Sequence, residues 1–214
     1  ANQSMKFNKT LGLVVASSLV LGACSTDTHE IKEYNKTLKE AVNKENAAVK
    51  VGEKLNKLTN EKNDLAKKIN GKDTNKVVDT SKKIIDNVDQ RKKEFKKEEN
   101  AFDASEKKFD EAKKRTSKIR NDKRKSSIEK TNKAMEKNYK AHDDYAKAYT
   151  NSLDKEKDLF QYIVSTNGKA EQSKIDEKTK AIDDSYKDVN KKIKDYSKTR
   201  NERGKQMEAA EQIK

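Results

Sequence analysis

Phe95, Phe102 and Phe109 stand at strict intervals of seven, and Ser81, Val88 and Thr116 continue the same interval on either side. Ile84/Ile85, Ser105, Ala112 and Ile119 fill a second position of that heptad. Two apolar places in seven make a stripe too narrow to cover one helix against a broad core. It suits long α-helices wound left-handedly around one another, which bury a shared seam. The pattern overrides the composition. Leu, Ile, Val and Phe make up about 17% of the 214 residues and the net charge is +14, values that by themselves favour a disordered chain. A disordered chain scatters its apolar residues, whereas these recur at spacings of three and four. The absence of proline and the six glycines agree with helix, and no stretch alternates as a strand would.

Read in order, the stripe gives four helices. The first runs over residues 28–70, with Asp27 and Glu30 spaced as a capping box and Ile31, Tyr34, Leu38, Ala41/Val42, Ala48/Val49, Leu55, Leu58, Leu65 and Ile69 as its seam. Asn70-Gly71 is a turn. The second helix covers 74–121, and a basic stretch without apolar residues predicts a turn near 122–126. Ser126-x-x-Glu129 opens a third helix over 127–166, ended by Asn167-Gly168. A fourth covers 170–212. Each helix is then roughly 60–70 Å long, and matched lengths with short turns predict an all-α, antiparallel four-helix up-and-down bundle with left-handed packing. The competing layout is three helices, the central one unbroken from 74 to 166. Residues 28–214 form a single domain in either case.

The N-terminal stretch is of another kind. Lys6 and Lys9 precede an apolar run from Leu11 to Leu21, followed by Gly22, Ala23 and the only cysteine, Cys24. The run from Leu11 to Ala23, about 13 residues, is too short to span a bilayer and suits the core of an export signal. Leu21-Gly22-Ala23-Cys24 resembles the lipobox of bacterial lipoproteins. That resemblance implies a signal peptide over 5–23, cleavage before Cys24, a diacylglyceryl group on its sulfur, and a tether over 24–27. Ala1–Ser4, ahead of Met5, read as a cloning remnant. With the lipobox, the Lys/Asn/Glu-rich helices up to Lys214 resemble the YkyA-type family of cell-wall-binding lipoproteins of low-GC Gram-positive bacteria. This implies an envelope-associated protein on the extracytoplasmic face of the membrane, and no enzymatic role comes with it.

The residues offer little for catalysis. His29 lies in an exposed first turn, and with Glu33 it supplies only two ligands, fewer than a metal site needs. His142 falls on the seam among tyrosines and reads as a polar core residue. No phosphate loop, zinc spacing or nucleophile elbow occurs, so no catalytic residue, metal or cofactor is expected. Tyr139, Tyr145, Tyr149, Tyr162, Tyr186 and Tyr196 could stack on sugars, but their helical spacing favours packing.

Charge says more. Export separates a basic chain from nucleic acid and leaves teichoic acids and anionic headgroups as polyanionic partners, with an envelope protein as the other possibility. Only six basic residues are Arg, so attraction rather than bidentate phosphate recognition is the theme. The densest patch is Lys113, Lys114, Arg115, Lys118, Arg120, Lys123, Arg124 and Lys125. In an up-and-down bundle that turn lies beside the membrane anchor, with Arg200, Arg203 and Lys205 approaching from the fourth helix. The chain thus reads as a non-enzymatic, lipid-anchored envelope-binding protein. A ligand-binding lipoprotein serving a transporter or polymer-handling system is the alternative, and would need a pocket between helices.

Overall fold

A computed structural model describes residues 26–69 and 73–214. Cys24, the signal over 5–23 and the Asn70-Gly71 turn lie outside the described residues. The secondary structure of the described part is helical throughout. We label its helices α1 (residues 26–43), α2 (Ala47–Lys67), α3 (Thr74–Lys113), α4 (Asp122–Ser165) and α5 (Gln172–Glu211). A 3-10 turn at Lys44–Asn46 joins α1 to α2 into one arm, and a second at Lys114–Lys118 closes α3.

Side-chain pairs give the topology. Lys157 donates to Asp89 at 2.7 Å, Lys92 pairs with Asp154, and Lys113 with Glu136, so α3 and α4 run antiparallel. Lys108–Glu40 and Lys54–Glu94 set the first arm antiparallel to α3. Lys39–Glu211 does the same for α5. Tyr34 with Asn132 and Lys62 with Glu156 place the first arm parallel to α4 across the bundle. This is the up-down-up-down four-helix bundle that the heptads predict, and the unbroken 74–166 helix does not form.

The break lies earlier than the basic stretch at 122–126 suggested. Residues 119–121 leave the helix, Ile119 and Asn121 in extended conformation, and α4 begins at Asp122. The cap is Asn121, whose side chain accepts from the Arg124 amide at 3.0 Å. Ser126 and Glu129 are therefore interior to α4. Ile119 is buried, so the corner is pinned by an apolar side chain. At the other end Asp73 caps α3 by accepting from Lys76 N. Asn167 and Gly168 adopt positive φ (52° and 76°) and stop α4 as expected.

Three apolar clusters fill the core. One holds Ile31, Tyr34, Leu38, Phe102, Phe109, Ile119, Ile128 and Met135. The next holds Val51, Leu55, Phe95 and Ala146, and the last Val77, Ile84, Val88, Leu153, Phe160 and Ile163. The first arm departs from its simple stripe. The 3-10 turn, wound at about three residues per turn, shifts the phase so that Glu45 and Val51 are buried while Val49 is 66% exposed.

Candidate functional site

The end of the bundle that carries the start of α1 is organised by Asp27. It does not cap its own helix, which is already formed at Thr26. Its buried carboxylate instead accepts from Arg120 N (2.8 Å, Oδ1) and Asn121 N (2.9 Å, Oδ2), two amides at the corner before α4. Glu30 takes Arg115 Nη1 at 3.1 Å, and Asn35 Nδ2 donates to the Ala210 carbonyl at 3.1 Å. The start of α1, the α3–α4 corner and the C-terminal turn of α5 thus meet at one end. Removing the carboxylate in Asp27→Ala leaves two backbone donors without partners. We expect a loss of about 1–3 kcal/mol and faster hydrogen exchange at Arg120 and Asn121 than at Ala112. Unchanged exchange there would contradict the clamp.

The eight basic residues singled out from sequence all gather at this corner, yet they divide into two groups. Lys113 is paired with Glu136 at 2.5 Å and Arg115 with Glu30. The acid raises Lys113 above the usual lysine range, first through its hydrogen bond and then through its charge. Lys114, Lys118, Arg120 and Lys123 are exposed, Arg124 and Lys125 half-buried, and none of the six is paired among the described residues. Arg124 also holds its Nη1 buried with no hydrogen-bond partner. Arg203 does not join the patch: it is 3% exposed and points into the core. Arg200 is turned toward the Tyr196 hydroxyl (2.6 Å) and Glu45 (3.8 Å).

Against this geometry, the family model of YkyA, "Putative cell-wall binding lipoprotein", matches residues 29–212. The chain belongs to the YkyA family. A similar solved structure is the 1.6 Å crystal structure of a conserved protein of unknown function from Staphylococcus aureus. It is 33% identical, with 88% of this chain and 95% of that one covered and a TM-score of 0.77. A comparison with curated proteins gives no match. Among the described residues of this YkyA member, no helix is long and apolar enough to cross a membrane. The family description fits a place at the cell surface.

Elsewhere several aromatic and polar side chains singled out from the sequence are turned inward. His142 is buried, stacked on Phe102 with ring centroids 3.5 Å apart, and its Nε2 lies 3.1 Å from Glu98. His29 is exposed. Tyr145 packs edge-on to Phe95 (5.7 Å) and stacks on Tyr196 (6.2 Å), so these rings face one another. Burial raises the Tyr34, Tyr139 and Tyr145 hydroxyls well above the usual phenol range and keeps them protonated.

Two ionic layers interrupt the apolar seam, and neither was expected from the sequence. In one, Arg203 Nη2 and Nη1 donate to Glu45 Oε1 (2.7 Å) and Oε2 (3.0 Å). Ser105 Oγ adds 2.6 Å to Oε2, and Asn138 Oδ1 accepts from Arg203 at 2.9 Å. In the other, Arg91 Nη2 lies 2.7 Å from Glu156, which Lys62 also approaches at 2.9 Å, while Arg91 Nε donates to Asn87 at 2.8 Å.

Proposed function

We propose that this chain is a non-enzymatic, lipid-anchored protein of the extracytoplasmic face, exported by the signal over 5–23 and tethered through Cys24. In this reading its basic corner rests on envelope polyanions, either teichoic acid or anionic headgroups. The observation that carries the reading is the position of the six cations that are unpaired among the described residues. They sit on the corner that Asp27 clamps, three residues beyond Cys24. A tether that short leaves the corner no more than about 10 Å of chain from the anchor, within reach of a charged surface even at physiological salt, where the screening length is about 8 Å.

Cation placement supports the same reading. Lys123, Arg124 and Lys125 occupy the first turn of α4, where the partial positive charge of a helix start disfavours them. Sequences tend to break such local rules at functional positions. A filled seam, with aromatic rings and ion pairs packed on each other, favours contact through the surface over a ligand enclosed between helices. The test is sedimentation of the unlipidated chain with vesicles containing anionic lipid, and with isolated teichoic acid, over rising salt. Capture at low salt that fades as salt rises is expected. No capture, or capture indifferent to salt, would overturn the reading.

A further inference from the structure

A groove of about 910 Å³ opens on the flank of the same corner, between the 3-10 turn Lys114–Lys118 and the first turns of α4. The Lys113–Glu136 pair forms part of its lining. Lys114, Lys125 and Lys133 also face it, as do Asp110 and Glu129, and none of these five is paired among the described residues. Thr116 contributes a hydroxyl whose oxygen accepts from Asn132 Nδ2 at 2.9 Å, and Asn132 is fixed in turn by the Tyr34 hydroxyl at 2.6 Å. The Thr116 O–H donor is thereby left over beside the cations. The groove therefore offers charges of both signs around a fixed polar edge, with Asp110 one turn from Lys113 and Lys114 and Glu129 one turn from Lys125 and Lys133 but closed into no ion pair among the described residues.

We infer that this groove takes a phosphodiester polymer whose repeating units also carry ammonium groups; the inference rests on the polyanion reading above and names its ligand more closely. A ligand with phosphates alone would satisfy the lysines but meet repulsion from Asp110 and Glu129. One with ammonium groups alone would meet the reverse. Three free cations against two free acids suit a chain with phosphate in slight excess over amine. The volume falls within the range of small-molecule clefts and accommodates a few repeating units, with the lysine stems covering the carbon backbone.

The experiment is calorimetric titration of the unlipidated chain with two synthetic glycerol phosphate oligomers. One is plain, and the other carries 2-aminoethyl ethers on its hydroxyls. The aminated oligomer is expected to bind about fivefold more tightly, the scale of two solvent-exposed ion pairs. Asp110→Asn with Glu129→Gln should abolish that preference without weakening the plain oligomer. Both oligomers binding equally, or the preference surviving in the double variant, would overturn the inference and leave the polyanion reading standing. Failure of both oligomers to bind would remove the teichoic acid arm of that reading and the inference together.

Discussion

Arg203→Met is expected to destabilise the bundle by about 3–5 kcal/mol, the cost of stranding one charge of a buried pair. Glu45 is 3% exposed and takes both terminal guanidinium nitrogens of Arg203, so the substitution leaves its carboxylate with the Ser105 hydroxyl and the more distant Arg200 at 3.8 Å. The two influences on Arg203 are opposed. Burial acts to lower its affinity for the proton, the Glu45 hydrogen bonds and charge act to raise it, and the second outweighs the first. In a domain of this size the loss corresponds to roughly 10 °C in Tm, read most cleanly from denaturant midpoints at constant slope. The double change Glu45→Met with Arg203→Met should recover most of the loss, because two apolar side chains need no compensation. A single variant that melts within about 0.5 kcal/mol of the parent, the range of ordinary surface changes, would mean that the pair is wet and not a core layer.

The two ionic layers act on register more than on stability. Glu45 comes from the 3-10 turn in the first arm, Ser105 from α3, Asn138 from α4 and Arg203 from α5. All four meet only when the helices stand at one relative height. A slide of one heptad would carry each charge away from the partners that satisfy it. Polar seam positions are known to select one register at some expense in stability, and a seam as uniform as this one has many near-equivalent alignments to exclude.

The helices were legible because an apolar residue at a heptad position states its own burial. The ionic layers were not, because charged residues are abundant on every face of a chain that is 41% charged. The signal was positional. Arg203 follows Ile182, Val189 and Tyr196 at sevens, and Arg91 follows Val77 and Ile84. Glu156 stands between His142, Tyr149 and Ile163, and Glu45 follows Ile31 and Leu38. At these four positions a charge on the apolar seam is a buried charge. Asp27 misled for a different reason. Its spacing to Glu30 fits a capping box, but the donors it serves lie 93 and 94 residues away along the chain, a separation that local spacing cannot encode. The same contact fixes where α4 starts: with Arg120 N and Asn121 N already bound, Asn121 is placed to cap, and the Ser126-x-x-Glu129 spacing is bypassed. The basic corner could be located from topology alone, but its division into paired and free cations required the acids of other helices.

That division picks the residues whose reversal should matter most. Lys118, Arg120 and Lys123 are exposed and unpaired among the described residues, and they lie outside the groove lining. Near an anionic surface each is worth about 1 kcal/mol, so losing three should weaken vesicle capture about 10²-fold, and reversing them to Glu should add repulsion of comparable size. A drop of roughly 10⁴-fold at low salt is expected from the two effects together, measured by sedimentation of the unlipidated chain. The fold should tolerate it. The Arg120 bond to Asp27 is made by its backbone amide, and Glu in place of Lys123 suits the first turn of α4. Lys187, Lys191 and Lys194, exposed along α5 away from the corner, supply the control. Reversing those three changes the net charge equally. If the control loses capture as completely, the attraction belongs to the charge of the whole bundle and the corner has no special role. If it keeps most of its capture while the corner variant does not, the cations beside the anchor form the contact, and their unfavourable place at a helix start has its explanation in what they touch.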